Sequence, residues 1–211
     1  LKEFYSGKLK KFGIGKIILV SRNIHKLKKK FIKKNIIYKS LDLSKTKKIP
    51  NANIIIHAAE NSIKKKNIYN FKKDIKISSN TTENIVKILK KIKKKKIIIY
   101  LSSGAVYGSN NKIKKINESK KIFTQKLIKN NLKNLYAKNK INSEKKILQL
   151  KNFHQVIILR LFSFVGNNIP ENSNYILGNI KKVIKNKKKL TLKSNNILKT
   201  YRSFMSTDDL I

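Results

Sequence analysis

The sequence contains no cysteine and no tryptophan, and it has only 2 prolines and 7 glycines among its 211 residues. Without cysteine the chain forms no disulfide, no thiolate metal site and no cysteine nucleophile, which is compatible with a reducing compartment. No apolar run approaches the roughly 18 residues needed to cross a bilayer, and no secretory signal opens the chain. We therefore expect a cytoplasmic protein with one main domain, no membrane partner and no metal site.

Acidic residues are also scarce: 10 Asp and Glu stand against 52 Lys and Arg, giving a formal net charge of +42. Such a charge ordinarily indicates nucleic acid or an anionic membrane, because clustered cations release counterions from phosphate. Here Lys is spread over nearly every segment together with Ile and Asn, the residues an AT-rich genome encodes most readily. Arginine, which is preferred at phosphates and base edges, occurs only at Arg22, Arg160 and Arg202. We expect weak adhesion to polyanions at low salt but no specific nucleic-acid partner.

Short β-branched runs alternate with longer Lys-rich stretches of helical spacing, which predicts βαβ units and a parallel sheet. The predicted strands, each expected to be buried on both faces, are 16–21, 35–40, 53–58, 96–103 and 156–162. The predicted helices are 23–34, 65–95 and 118–150, and a helix already under way is predicted over 1–13. A doubly wound α/β sheet with right-handed crossovers follows.

The spacing of apolar, Gly and Lys residues predicts further local features. In the helix 65–95, an apolar stripe is predicted from Ile85, Ile88, Leu89 and Ile92. Gly13 and Gly15 are interpreted as turn residues. The Lys runs 28–30, 93–96 and 187–189 are interpreted as solvated helix faces or turns.

The few Arg, Ala and Gly residues fall largely inside five short segments, which are 54–60, 100–108, 136–140, 158–166 and 201–210. In an open α/β sheet, ligands bind beyond the carboxyl ends of the strands. Because the five segments lie at or near such ends, we interpret them as parts of one site.

Three motifs stand in order in these segments: SSGAVYG at 102–108 after a strand, YAKNK at 136–140 on a helix, and RLFSFVG at 160–166 followed by RSFMSTDDL at 202–210. From about residue 10 to 211 the chain resembles an extended short-chain dehydrogenase/reductase of the NAD-dependent epimerase/dehydratase family, which acts on nucleotide sugars. The resemblance implies a Rossmann-like dinucleotide-binding domain over 1–165 and the start of a small C-terminal substrate domain over 166–211.

The resemblance implies a catalytic Ser-Tyr-Lys triad of Ser103, Tyr136 and Lys140. Oxidation of a sugar hydroxyl requires a base for its proton while the carbon-bound hydrogen leaves as hydride. Tyrosine, whose pKa is near 10, needs a neighbouring positive charge to act as that base, and Lys140 follows Tyr136 by one helical turn. By resemblance, Lys140 would also bind the nicotinamide ribose, and Ser103 would hold the same sugar oxygen.

Further positions follow by resemblance. Asp42, with Leu43 beside it, matches the carboxylate that meets the adenine amino group of NAD or NADP. The stretch of His57, Ala58 and Ala59 matches small residues that let the backbone approach the cofactor, and for His57 itself we favour a histidine without chemistry.

Three arginines and one asparagine are the remaining residues considered for ligand contact. Arg22 is placed to accept a 2'-phosphate or to stack beside the adenine. Arg202 resembles an arginine that pairs with the nucleotide diphosphate, and Asn179 is expected nearby. For Arg160, pairing with another residue of the protein is favoured at least as much as contact with a ligand.

The chain departs from the family pattern in two places. No GxxGxxG loop precedes the strand 16–21, so the first strand and the glycine turn for the pyrophosphate are missing, and we expect poor dinucleotide binding by the chain as written. Gly104 and Ala105 stand where 4,6-dehydratases carry an Asp-Glu pair. The abrupt beginning and end suggest an internal fragment of a longer protein.

The predicted function is an NAD(P)-dependent nucleotide-sugar epimerase or ketosugar reductase. The alternatives are a 4,6-dehydratase or decarboxylase of the same family and a non-catalytic relic without the cofactor loop. A polyanion-binding protein would instead cluster its Lys on one face. A homodimer through the helices 65–95 and 118–150 is expected by resemblance.

Overall fold

The protein adopts a Rossmann-like α/β fold, as predicted. The computed structural model describes residues 4, 6–25, 35–60, 68–108, 117–118, 132–166, 176–187, 203–207 and 209. The strands are β1 (Ile17–Ser21), β2 (Ile36–Ser40), β3 (Ile54–His57), β4 (Ile97–Ser103), β5 (Gln155–Leu161), β6 (Ser163–Val165) and β7 (Phe204–Ser206). The helices are α1 (Ile68–Lys90), α2 (Leu132–Leu148) and α3 (Ile176–Lys185).

All five predicted strands are confirmed, and their observed ends differ from the predicted ends by at most one residue. The helices 65–95 and 118–150 are confirmed as α1 and α2, which end at Lys90 and Leu148, short of the predicted ends. Most of the predicted helix 23–34 lies outside the described residues.

The strands form parallel pairs. β1 pairs with β2 from Ile17 opposite Ile36 onward, β3 pairs with β4 from Ile54 opposite Ile97 onward, and β6 pairs with β7. β4 lies between β3 and β5 in a three-stranded sheet. Because β3 and β4 run in the same direction, their carboxyl ends point to the same edge of this sheet.

The chain divides into two compact units, one of residues 1–102 and 129–159 and the other of residues 103–128 and 160–211. The division falls inside β4 and β5, so that each of these strands begins in the first unit and ends in the second. The domain boundary between residues 165 and 166, which the sequence analysis expects, stays a prediction.

The core of the first unit lies between α1, β4 and the end of α2. Ile85, Val86 and Leu89 of α1 pack with Ile98 and Tyr100 of β4, and Ile147 and Leu150 join them. β4 alternates buried and half-buried side chains, which is the period of a strand with one face in the core. The predicted stripe is confirmed for Ile85, Leu89 and Ile92, which packs against this cluster, whereas Ile88 is half-buried and lies outside the cluster.

An ion pair joins α1 to α2 at the surface. Lys146 Nζ of α2 lies 2.9 Å from Glu83 Oε2 of α1 and donates to Ser79 Oγ at 3.1 Å. Glu83 also pairs with Lys87 one turn along α1. The hydrogen bond from Lys87, followed by that from Lys146, lowers the pKa of Glu83 to about 2.

Three predictions are wrong. β3 is not buried on both faces, because Ile54 and Ile56 are 37% and 61% exposed on the same face. The opening segment is not a continuous helix: residues 6–9 form turns and 10–12 a 3-10 turn, since Gly7 and Gly13 adopt left-handed backbone with φ of 78° and 71°. Lys96 is not solvated, because it leads directly into β4 and its Nζ donates to Asn51 Oδ1 at 2.7 Å inside the protein.

Candidate active site

Lys140 is a buried cation on α2. Its Nζ donates to the backbone oxygen of Leu101 at 2.6 Å and pairs with Glu60 Oε2 at 2.8 Å. The ammonium lies 5.9 Å from the ring centroid of Tyr136 and 5.0 Å from that of Tyr100. The arrangement supplies a fixed positive charge beside the Tyr136 ring.

Helix α2 places these groups by its periodicity. Tyr136, Lys140 and Glu144 follow one another at intervals of four residues, so they share one helical face. Glu144 is fully buried and accepts a hydrogen bond from the Ser102 hydroxyl. Lys140 and Glu144 therefore bind α2 to two consecutive residues of β4, Leu101 and Ser102.

Glu60 lies just after β3, and the sequence analysis did not assign it a role. Its carboxylate accepts from the Tyr100 hydroxyl at 3.3 Å as well as from Lys140. Burial, with the charge of Glu60 as the second cause, raises the pKa of Tyr100 well above its usual value. Tyr100 therefore stays a neutral hydrogen-bond donor. The sequence did contain one indication of a role for Glu60. It directly follows the stretch 57–59 that matches the cofactor site, and acidic residues are scarce in this chain, which has 10 of them.

His57 is a buried, neutral histidine at the end of β3. Its Nε2 lies 3.1 Å from Thr82 Oγ1, and the Thr82 hydroxyl donates to Ser78 O at 3.2 Å. Because the threonine hydrogen is used in that second bond, Nε2 must carry the imidazole hydrogen. Burial, followed by the charge of Lys140, lowers the pKa of His57 to about 4.

The low pKa of His57 makes the protein sensitive to acid. Between pH 6.5 and about 4 the unfolded chain binds a proton at this histidine and the folded chain does not. Stability contributed by His57 is therefore fully present above pH 6.5 and is lost as the pH falls towards 4. The loss amounts to about 3 kcal/mol. Urea unfolding at intervals from pH 7 to pH 4.5 measures it.

The control for this prediction compares two histidines. His57→Asn is expected to flatten the dependence of stability on pH in that range, whereas His25→Asn, at an exposed position, leaves the slope unchanged. A His57→Asn protein whose stability falls as steeply as that of the wild type would contradict the prediction.

Asp42 and Leu43 form a turn after β2. Asp42 Oδ1 accepts from the Ser44 hydroxyl at 2.6 Å and from the Ser44 amide at 3.0 Å. These bonds lower the pKa of Asp42, and the charge of Arg22 adds to the effect. The backbone oxygen of Leu43 accepts from Asn84 of α1 at 3.0 Å, which holds the turn against the helix.

In the second unit, Ser103 ends β4 and caps the 3-10 turn Gly104–Tyr107. Its Oγ accepts from the amide of Ala105 at 3.2 Å. This bond does not use the hydroxyl hydrogen, which a side chain that donates to a sugar oxygen needs.

Arg160 has a structural partner in the same unit. It donates to the Tyr107 hydroxyl at 2.9 Å, and its guanidinium carbon lies 5.0 Å from the centroid of the Tyr107 ring. Tyr107 in turn stacks on Phe162 with 6.3 Å between the ring centroids.

Gly104 is required by the position of Phe162. A Cβ atom at residue 104 would lie 2.5 Å from Cε1 of the Phe162 ring. Gly104→Ala is expected to lower the free energy of unfolding by about 1–3 kcal/mol, because the stacked ring must move. Chemical denaturation measures the loss.

Gly15 provides the matched control, since a Cβ there meets no atom within 4 Å. Gly15→Ala is expected to leave stability nearly unchanged. Adding Phe162→Leu to Gly104→Ala should recover part of the loss. A Gly104→Ala protein as stable as the Gly15→Ala protein would show that the ring moves aside freely.

The structure thus places eight of the predicted site residues in the first unit: Arg22, Asp42, Leu43, His57, Ala58, Ala59, Tyr136 and Lys140. Ser103 and Asn179 belong to the second unit, and Asn179 is exposed on α3. Arg202 lies outside the described residues. Within the described ranges no group of three or more His, Asp or Glu side chains could hold a metal ion.

Tyr136 and the buried Lys140 lie four residues apart on one helix of a Rossmann-like fold, and folds of this class bind dinucleotides. The chain belongs to the NAD dependent epimerase/dehydratase family, whose model matches residues 8–211. No curated protein matches the chain significantly.

Solved structures of two epimerases share the fold. The UDP-glucuronic acid 4-epimerase from Bacillus cereus, in complex with NAD, is 18% identical with a TM-score of 0.68, over 99% of this chain and 67% of that one. The UDP-N-acetylglucosamine 4-epimerase from Methanobrevibacter ruminantium M1, in complex with UDP-N-acetylmuramic acid, is 16% identical with a TM-score of 0.62, over 93% of this chain and 70% of that one.

The solved structure of a dehydratase shares the fold as well. DesIV, a dTDP-glucose 4,6-dehydratase from Streptomyces venezuelae with NAD bound, is 14% identical with a TM-score of 0.72, over 99% of this chain and 64% of that one. The chain therefore spans about two thirds of the length of these enzymes. Among the described helices, none has the length and apolar character that crossing a membrane demands.

Proposed function

We propose that the protein is an NAD(P)-dependent nucleotide-sugar epimerase or ketosugar reductase that uses Ser103, Tyr136 and Lys140. The observation that carries the proposal is the buried Lys140 ammonium, which hydrogen bonds fix beside the ring of Tyr136. A phenol acts as a base at neutral pH only where a nearby positive charge favours its ionised form.

The described residues fit two parts of the dinucleotide. Asp42 is an anion whose Oδ1 receives both bonds from Ser44, which leaves Oδ2 to accept from the adenine amino group. Lys140 uses two of its three ammonium hydrogens on Leu101 and Glu60, which leaves one for a ribose hydroxyl. When bound, NAD or NADP would supply the acceptor for the carbon-bound hydrogen of the sugar, which leaves as hydride.

The side chains of the protein handle the proton and the orientation of the substrate. Tyr136 takes the proton of the sugar hydroxyl, and Lys140 stabilises the phenolate. The Ser103 hydroxyl donates to the sugar oxygen. Arg202 and Asn179 would bind the diphosphate of the nucleotide.

The packing of Gly104 disfavours a 4,6-dehydratase. Elimination of water needs its own acid and base, for which such enzymes carry an Asp-Glu pair at the positions of Gly104 and Ala105. A side chain at 104 would collide with Phe162. Epimerisation and keto reduction need no such pair.

The test is product analysis. The purified protein is incubated with NAD or NADP and with UDP- and dTDP-sugars, and anomeric proton signals are followed by NMR together with cofactor absorbance. A new anomeric signal at constant sugar mass indicates an epimerase, and consumption of NADH or NADPH with a ketosugar indicates a reductase. A 4-keto-6-deoxy product would assign a dehydratase, and cofactor binding without turnover would assign a non-catalytic domain.

A further inference from the structure

Glu60 takes an unusual position for an acidic residue of this chain. The protein has 52 Lys and Arg for its 10 Asp and Glu, so most cations have no acidic partner to pair with. Glu60 nevertheless pairs with a buried lysine, at 2.8 Å, and its own side chain is only 19% exposed. Its partner is the lysine assigned to the proposed active site.

The contacts of Glu60 define the direction of the Lys140 ammonium. One hydrogen is directed to Leu101 O of β4 and a second to Glu60 Oε2 after β3. These two bonds, one to β4 and one to the segment after β3, leave the third hydrogen a single direction. Glu60 is itself held by the Tyr100 hydroxyl, which donates to Oε1 at 3.3 Å.

The charged and titratable groups around Lys140 come from three elements. Glu60 and His57 belong to β3 and the segment after it, Tyr100 to β4, and Tyr136 and Glu144 to α2. His57 and Tyr100 are neutral at pH 7 because burial favours their uncharged forms. Of the two carboxylates, Glu144 accepts from Ser102 and Glu60 forms the ion pair with Lys140, so the charge that Tyr136 experiences depends on Lys140 and Glu60.

We propose that Glu60 is a positioning residue for Lys140, setting the direction of its ammonium and the net charge beside the Tyr136 phenol. This inference rests on the proposed function, in which Lys140 and Tyr136 act on a nucleotide sugar. Without the carboxylate, the positive charge of Lys140 is no longer offset, and ionisation of the phenol becomes easier.

The experiment is an NMR titration of protein labelled with 13C at tyrosine Cζ, whose shift reports ionisation of each phenol directly. The Tyr136 signal is assigned by its loss in Tyr136→Phe. In Glu60→Gln, which keeps the size of the side chain, the Tyr136 midpoint is expected to move to lower pH by on the order of one pH unit. Glu60→Asp, which withdraws the charge by one methylene group, moves it in the same direction by less.

Glu83→Gln is the matched control, since Glu83 also pairs with a lysine of α2 but at the surface. It is expected to leave the Tyr136 midpoint unchanged. A midpoint in Glu60→Gln equal to that of the control overturns the inference. If Glu60→Gln does not fold, Glu60→Asp decides the question, and a wild-type midpoint in that variant overturns the inference.

Failure of the proposed function gives a different result. The titration needs no substrate, so a wild-type protein without turnover refutes the function while Tyr136 still reports on Glu60. In an active protein, the acid limb of the pH–rate profile is expected to move to lower pH in Glu60→Gln. A variant that lowers the rate at every pH without moving this limb shows a merely structural role.

Discussion

Lys140→Met is expected to lower the free energy of unfolding at pH 7 by about 3 kcal/mol. The substitution leaves the Glu60 carboxylate without its cation and the backbone oxygen of Leu101 without its donor, both in a mostly buried region. Removing one partner of a buried ion pair costs about 3–5 kcal/mol, and the residual exposure of Glu60 places the loss at the lower end. Urea unfolding followed by circular dichroism measures it.

Lys138 supplies the control on the same helix. It is exposed, so Lys138→Met is expected to change stability by less than about 0.5 kcal/mol. Combining Glu60→Gln with Lys140→Met removes the orphaned charge and should recover part of the loss. Equal losses for Lys140→Met and Lys138→Met would show that water screens the Glu60–Lys140 pair as it screens a surface pair.

Tyr136→Phe is expected to lower kcat for the proposed epimerisation or reduction by about 100-fold or more. The substitution removes only the phenol oxygen, which is the atom that exchanges the proton. The ring and its neighbour Lys140 remain, so stability and nucleotide-sugar binding should change little. Turnover under saturating cofactor and substrate, together with calorimetric binding, separates the two effects.

Tyr38→Phe is the matched variant, because the Tyr38 hydroxyl is buried and has no hydrogen-bond partner among the described residues. It is expected to keep wild-type kcat. A Tyr136→Phe enzyme that turns over at the wild-type rate would remove Tyr136 from the mechanism, whatever the stability of the variant.

The strands were predictable from sequence because each is a short, continuous Ile-rich run between Lys-rich stretches. Ile85, Leu89 and Ile92 were predictable as a stripe because they follow helical spacing. The opening segment failed because its Lys and Leu spacing suits a helix while Gly7 and Gly13 take left-handed backbone, which no spacing reveals.

The ion pairs were not predictable, since they depend on which segments meet in space. Glu60 and Lys140 are 80 positions apart and are joined only when β3 and α2 both approach β4. Lys96 belongs to a Lys run that the sequence pattern predicts to be solvent-exposed. Because it directly precedes β4, its side chain is buried and donates to Asn51. The Tyr-Lys spacing was recognisable because both residues lie on one helix, where sequence interval fixes distance.

The exposed face of β3 gives the net charge a further consequence. Ile54 and Ile56 form a short apolar surface, and the formal charge of +42 is expected to oppose the approach of two such surfaces on neighbouring molecules. Added salt shortens the range of that repulsion from about 30 Å at 0.01 M to about 3 Å at 1 M. We therefore expect the protein to disperse at low ionic strength and to associate as the salt concentration rises.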